Sequence, residues 1–178
     1  AVTIADDERA LEGKEVYDFL FAEAADCLLA EYKNIEVTVA GRGPDEEYLH
    51  SKLDKWQDKV VFTQYTADQS LGIHADKHIA VIPTVGSEGT SLSLLEAMSA
   101  QCAVVCTDVG GMTNIVLNGY NGMMVGAGDV NQLYLAIKYL IDNPDERNRI
   151  AMTGYETVKR AFSHECWKNK WREVLKLI

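Results

Sequence analysis

Apolar and polar residues follow one another along this chain in two distinct patterns. Short, almost wholly apolar runs such as residues 79–82 and 103–106 are typical of strands that are buried on both faces of a parallel sheet. Between these runs, apolar residues recur at helical spacing. The first pattern predicts strands over residues 2–5, 36–40, 60–62, 79–82, 103–106 and 123–125. The second predicts helices over residues 14–32, 45–56, 68–75, 112–117, 131–141, 145–161 and 164–177.

A further helix is predicted to start among the small polar residues Thr90, Ser91 and Ser93, each of which is a candidate N-cap. Strands and helices therefore alternate, as expected of an α/β fold with a Rossmann-like, doubly wound parallel sheet and a helical C-terminal tail. The chain has 178 residues, 47% of them hydrophobic, and contains no repeat, low-complexity tract or linker-like stretch. We therefore expect residues 1–178 to form one domain.

Composition and charge narrow the class of protein. The sequence lacks a run of roughly 18 apolar residues and a basic-then-apolar start, so we expect a cytoplasmic protein without a transmembrane segment. Its formal net charge is -10, which argues against nucleic acid or an anionic bilayer as a partner of the general surface. An anionic substrate would need a local positive pocket.

The cysteines and histidines do not form a recognisable metal motif. The four cysteines include no Cys-x-x-Cys pair, and we interpret them as free buried thiols. His74 and His78 are four residues apart, a spacing that suits a metal on a helix, but no third ligand is evident. We interpret the pair as a solvated helix end and predict no metal site.

The strongest candidate for chemistry is the segment 88–98. Glu88 and Glu96 are eight residues apart around a predicted junction between a loop and a helix. Gly89 allows the backbone to approach a ligand closely, and the free amides at the start of the helix favour an anion. The segment follows the strand at residues 79–82, and open parallel sheets bind ligands at the carboxyl ends of their strands.

The order of motifs from this strand onward resembles a known family. Ser-Glu-Gly-Thr-Ser-Leu-Ser-Leu-Leu-Glu-Ala-Met is followed by Thr-Asp-Val-Gly-Gly and by Asn-Gly-Tyr-Asn-Gly. Together they resemble the C-terminal, donor-binding half of a GT-B-fold glycosyltransferase of family 4 (glycosyl transferases group 1), the retaining group with paired glutamates. We interpret the two glycine-containing turns as structural.

The resemblance implies roles for the two glutamates. Glu88 would be the catalytic residue, bonding the donor sugar's hydroxyls near the reacting carbon. Glu96 would accept hydrogen bonds from both ribose hydroxyls, which suits a group with two acceptor oxygens. Without the resemblance, Ser93 and Glu96 fit a capping box, in which Glu96 only bonds the backbone of Ser93.

The resemblance also implies a binding site for the donor sugar and the diphosphate. Arg9 and Lys14 occupy the places of an arginine and a lysine that hold the diphosphate in the family, although Glu15 stands where that lysine is usually followed by glycine. Fixed cations there would stabilise the charge that grows on the leaving group, so no metal or cofactor is expected. The remaining members of the site would be Gly89, Thr90, Ser91 and Leu92.

The base of the nucleotide is the least determined part of the predicted site. The resemblance places it near Gly43, Gln64, Tyr65 and Thr66, and leaves UDP, GDP and ADP sugars all open. A plain turn between strand and helix explains Gly43 equally well. An NAD-binding glycine motif does not fit, because the third glycine position is Glu46.

The predicted activity is hexosyltransferase-type: retaining, metal-independent transfer from a nucleoside-diphosphate sugar. The acceptor, a glycan, glycolipid or small molecule, would bind an N-terminal domain of the parent enzyme that is absent here. The family's most frequent setting is cell-surface glycan and polysaccharide synthesis, with peripheral attachment to the inner membrane face through that missing domain. A GT-B-fold sugar-nucleotide 2-epimerase and a non-catalytic sugar-nucleotide-binding module remain as alternatives.

Two tryptophans near the end of the chain could either stack on a sugar or pack against other residues. Trp167 and Trp171 are four residues apart on the last predicted helix, so they lie on one helix face. We interpret them as core or domain-packing residues rather than as sugar-stacking residues.

Overall fold

Strands and helices alternate through the part of the chain that the structure describes. The computed structural model describes residues 2–5, 15–41, 46–66, 69–86 and 89–176. The strands are β1 (Val2–Ala5), β2 (Val37–Ala40), β3 (Val60–Thr63), β4 (Ile79–Ile82), β5 (Ala103–Thr107) and β6 (Met123–Val125). The α-helices are α1 (Glu15–Glu31), α2 (Glu46–Leu53), α3 (Ser70–His74), α4 (Leu92–Ser99), α5 (Val130–Asp142), α6 (Pro144–Ala161) and α7 (His164–Lys176).

The predicted elements are confirmed, with two local differences. The segment predicted as one helix over residues 45–56 is divided in the structure: α2 ends at Leu53, and the last turn, Asp54–Trp56, is a 3₁₀ helix. The helix predicted over residues 112–117 is a 3₁₀ helix that begins two residues earlier, at Gly110–Asn114. Both are short helical turns, whose boundaries sequence periodicity fixes poorly.

The six strands form one sheet in the order β3-β2-β1-β4-β5-β6, and every pairing is parallel. The chain order reverses between β1 and β4, which are direct neighbours in register, with Ile4 beside Val81. This confirms the doubly wound α/β fold. In open sheets of this kind, ligands bind beyond the carboxyl ends of the strands at such a reversal.

Strands β4 and β5 are buried on both faces. In β4, Ile79 and Val81 pack against the layer formed by α1 and α5, whereas Ala80 and Ile82 pack with α4 on the opposite face. This alternation follows from the two-residue period of a strand, and it explains why β4 reads as a continuous apolar run. Helix α6 contributes Val158 to the cluster around α4.

Helix α7 differs from the other helices because none of its described residues is buried. Trp167 is 57% exposed and Trp171 is 49% exposed, with their rings 6.1 Å apart. The core alternative is therefore wrong for the described residues, whereas the domain-packing alternative stays a prediction. Helical spacing places both on one face of α7, but it cannot show whether another element packs against that face.

Candidate functional site

The candidate site lies at the start of α4, beyond the end of β4. Ser91 is the N-cap, and its hydroxyl accepts a hydrogen bond from the Leu94 amide at 3.2 Å. The first intrahelical bond runs from the Leu95 amide to the Ser91 carbonyl, so the amides of Leu92 and Ser93 precede the intrahelical ladder. Helix α4 thus begins with a cap that is itself buried and with amides oriented to meet an anion.

Glu96 does not form the capping box that its spacing from Ser93 suggests. Because the helix starts at Leu92 with Ser91 as its cap, Glu96 is the fifth helical residue and not the third. Its Oε1 instead accepts a hydrogen bond from the Ser70 hydroxyl at 2.8 Å. The carboxylate, which is half-buried, is therefore held by a side chain of the neighbouring helix α3.

Ser70 is a residue that sequence reasoning missed. A serine at the start of a short helix is expected to cap it, but the N-cap of α3 is Gln69 and makes no side-chain cap bond. Ser70 is 6% exposed and directs its hydroxyl at Glu96. Only the packing of α3 against α4 reveals this contact, because the two residues are 26 positions apart in the chain.

The loop before α4 is supported from the loop after β5. The Thr107 hydroxyl donates to the Thr84 carbonyl, which connects the end of β5 to the segment after β4. Gly111 lies directly against the Gly89 backbone: a Cβ on Gly111 would stand 2.1 Å from the Gly89 carbonyl oxygen and 3.3 Å from the Thr90 nitrogen. Gly111 was predicted only as part of a tight turn, and the close backbone contact gives it a more specific role.

Three of the predicted base-pocket residues lie between β3 and the helix that bears Ser70. Gln64 and Thr66 are exposed after β3, and Tyr65 between them is half-buried. The Gln69 amide donates to the Thr66 carbonyl at 2.8 Å, and the Thr66 amide donates to Gln69 Oε1 at 3.2 Å. This turn leads directly into α3, so one short segment connects the predicted base pocket to the residue that bonds Glu96.

Four predicted site residues, Arg9, Lys14, Gly43 and Glu88, lie outside the described residues. Their places in the chain are still informative. Arg9 and Lys14 follow β1, and Glu88 follows β4, and these strands are adjacent where the chain order reverses. The predicted roles of these four residues remain predictions.

The histidine and cysteine pairs have no metal-like arrangement. His74 is 1% exposed, so its interpretation as part of a solvated helix end is wrong: α3 turns it toward the domain interior. Burial, with the nearby Lys77 charge, lowers the pKa of His74.

The two buried cysteines are weak acids. Burial raises the pKa of Cys102 to about 11 and that of Cys106 to about 12, so both thiols stay protonated near neutral pH. Within the described ranges, no three metal-binding side chains cluster.

Comparison with known proteins assigns the chain to a family. The family described as glycosyl transferases group 1 matches residues 11–143, and the chain belongs to this family. The phosphatidyl-myo-inositol mannosyltransferase of Mycobacterium leprae is 30% identical over 132 residues, which are 72% of this chain and 34% of that protein. This chain therefore spans about a third of the length of that relative.

Solved structures show the same fold. The C-terminal domain of the glycosyl transferase group 1 family protein LpcC from Francisella tularensis superposes with a TM-score of 0.74 at 25% identity, covering 92% of this chain and 86% of that one. Anabaena HepE, solved in complex with UDP-glucose, superposes with a TM-score of 0.80 at 18% identity, covering 99% of this chain and 48% of that one. The fold is that of the C-terminal half of a GT-B glycosyltransferase. Within the described residues, no helix has both the length and the apolar character needed to cross a bilayer.

Proposed function

We propose that this chain binds a nucleoside-diphosphate sugar and forms the donor-binding part of a retaining, metal-independent glycosyltransferase. The observation that carries the proposal is the Glu96 carboxylate, held by Ser70 on the first turns of α4 beyond the strand end where such sheets bind ligands. The ribose hydroxyls would donate to Glu96, and the amides of Leu92 and Ser93 would face the anionic diphosphate. The relatives named as glycosyltransferases, and the UDP-glucose complex of HepE, support this assignment.

In the proposed reaction the leaving diphosphate departs on the face of the sugar that the acceptor attacks. Arg9 and Lys14 would stabilise the negative charge that grows on the diphosphate, and Glu88 would hold the sugar hydroxyls near the reacting carbon. The departing phosphate can take the acceptor's proton, so the scheme needs no separate protein base. Acceptor binding would fall to the rest of the parent enzyme, since this chain spans about a third of its relative.

A cell-surface setting is part of the proposal. The capsular polysaccharide biosynthesis glycosyltransferase CapM of Staphylococcus aureus is 28% identical over 106 residues, which are 60% of this chain. The mannosyltransferase of Mycobacterium leprae is named for a phosphatidyl-myo-inositol substrate. We therefore propose a glycan or glycolipid as the acceptor.

Calorimetric titration of the chain with UDP, GDP, ADP and their common sugar conjugates tests the donor assignment. We expect one base to be preferred and Glu96→Ala to weaken its binding about ten- to a hundred-fold, because hydrogen bonds to a charged group contribute roughly 1.5–3 kcal/mol. Glu156→Ala is the matched control: Glu156 is a surface glutamate on α6 that pairs with Arg160 at 3.2 Å. It should leave binding unchanged.

The same titration tests metal independence when it is repeated with EDTA and with excess magnesium. Equal affinities are expected. An affinity that depends on magnesium would reject the metal-free scheme, and nucleotide binding that survives Glu96→Ala unchanged would reject the role of Glu96.

A further inference from the structure

We propose that Ser70 is a positioning residue that makes the site selective for the ribose of the donor. The inference rests on the proposed function, because it concerns the group that Glu96 would bind. Ser70 would not touch the reacting atoms. It would set the orientation of Glu96, and through it the preference for a ribonucleotide over the corresponding 2′-deoxyribonucleotide.

The position of Ser70 fits this role because its hydroxyl is buried and bonds Glu96 directly. The residue is 6% exposed, and its Oγ lies 2.8 Å from Glu96 Oε1. Ser70 is the first residue of α3 rather than its N-cap, which is Gln69, so its hydroxyl does not stand at the capping position of its own helix.

The helix that carries Ser70 is held at both ends. At its start, the Thr66 and Gln69 backbones are joined by the turn bond of 2.8 Å. At its end, the His74 carbonyl accepts from the Lys77 amide at 3.0 Å and from the Cys102 thiol at 3.4 Å. A hydroxyl on an element fixed in this way can hold a partner side chain in one place.

A glutamate side chain loses up to about 2 kcal/mol of rotamer freedom when it is ordered. In the free protein, the Ser70 bond already orders Glu96 and orients Oε2 before any ligand arrives. A ligand that bonds the pre-ordered carboxylate does not have to order it on binding. Removal of the Ser70 hydroxyl should therefore weaken ligands that bond Glu96 and affect other ligands less.

The competing explanation is purely structural: Ser70 would only connect α3 to α4. That role predicts a loss of stability in Ser70→Ala that affects ribonucleotide and deoxyribonucleotide binding equally. The ratio of the two affinities therefore separates the explanations, because a change in stability alone does not alter it.

The experiment measures that ratio by calorimetry on the 178-residue chain. The probe is whichever of UDP, GDP and ADP binds most tightly, paired with its 2′-deoxy counterpart. The variants are Ser70→Ala, Ser70→Thr, which keeps the hydroxyl, and Ser99→Ala. Ser99 is the matched control because it is a half-buried serine on α4 whose hydroxyl bonds the Leu95 carbonyl at 2.7 Å.

We expect the original chain to prefer the ribonucleotide about ten-fold, as one lost hydrogen bond to a carboxylate predicts. Ser70→Ala should reduce this preference to about two-fold, while Ser99→Ala and Ser70→Thr should keep it. A preference in Ser70→Ala equal to that of the original chain would overturn the inference, and Ser70→Ala decides the matter even if Ser70→Thr does not fold.

Failure of the proposed function would give a different set of affinities from failure of the Ser70 inference. If the original chain binds the ribonucleotide and the deoxyribonucleotide equally, or Glu96→Ala leaves binding unchanged, the role of Glu96 is rejected whatever the Ser70 variants do. If Glu96→Ala weakens binding but Ser70→Ala keeps the full preference, the role of Glu96 stands and that of Ser70 falls.

Discussion

Gly111 shows how a residue outside the glutamate segment can shape it. Its Cα lies against the Gly89 carbonyl, where even a methyl group has no room, and the neighbouring atoms belong to the backbone rather than to a flexible side chain. Gly110 beside it adopts a φ of 53°, which keeps the turn compact. The backbone of residues 89 and 90, which we propose to meet the sugar and diphosphate, is thus placed partly by the loop after β5.

Gly111→Ala should therefore displace the Gly89–Thr90 peptide. We expect weaker binding of the nucleotide sugar, by about ten-fold, and a loss of about 1–3 kcal/mol in the free energy of unfolding. Gly72→Ala is the matched control, because a Cβ on Gly72, within α3, would meet no atom within 4 Å. That variant should keep its affinity and gain about 0.5–1 kcal/mol of stability. Unchanged affinity in Gly111→Ala would show that the loop relaxes without cost.

Sequence reasoning predicts Glu96 as a site residue but does not point to the residues that contact its segment. The spacing of Glu88 and Glu96 and the family motif were visible in the chain, whereas Ser70 and Gly111 act through contacts between distant segments. The capping-box alternative failed for a local reason: two serines stand two residues apart, and the structure uses the first, Ser91, as the cap.

At the scale of single elements, the backbone at the C-terminal end of α4 adopts a conformation that its sequence does not favour. The Cys102 amide donates to the Ala97 carbonyl at 3.0 Å and the Gln101 amide to the Met98 carbonyl at 3.1 Å, which together form a Schellman motif. Gln101 occupies the left-handed position with a φ of 61°. A side chain at this position costs about 1–2 kcal/mol relative to glycine.

Gln101→Gly should stabilise the chain by about 0.5–1 kcal/mol, since glycine removes the strain but gains freedom in the unfolded chain. Urea denaturation measures the change. Gln101→Ala is the control: alanine keeps the Cβ that causes the strain, so it should bring no gain. A glycine variant no more stable than the alanine variant would refute the argument.

Element boundaries were largely predictable because short continuous apolar runs alternate with segments in which apolar residues recur at helical spacing. The bounds of the strands agree with those predicted to within one residue. The 3₁₀ helix at Gly110–Asn114 was predicted two residues too late, because it begins with two glycines, which add nothing to the apolar pattern. The strand order could not be read from periodicity, because it depends on which strands pair in space.

For the molecule as a whole, stability should depend on pH through a buried histidine. Burial lowers the pKa of His74, whereas the unfolded chain should titrate near the ordinary value of about 6.5. Just below that value the unfolded chain binds more protons than the folded one, so the free energy of unfolding falls as pH drops. Carboxylates with lowered pKa values, such as Glu146 beside Arg149, affect the free energy of unfolding only at lower pH.

Unfolding by urea at pH 7.5, 6.5 and 5.5 tests this dependence. His74→Leu should flatten the loss of stability over this range. The pKa of His78 is also lowered by burial, but His78 is exposed, so His78→Gln should keep most of the slope. An unchanged slope in His74→Leu would assign the pH dependence to other groups.

The exposed face of α7 has a practical consequence for spectroscopy. The chain has three tryptophans, and two of them, Trp167 and Trp171, stand half-exposed or more on this helix. The third, Trp56, ends the 3₁₀ helix after α2, and its indole nitrogen donates to Asp26 Oδ1 at 2.8 Å. Intrinsic fluorescence therefore comes mainly from indoles that are already in contact with water in the folded chain, and it should respond weakly when the sheet unfolds. A melt followed by fluorescence should then show a much smaller signal change than one followed by circular dichroism, and that difference in amplitude would not by itself establish a folding intermediate.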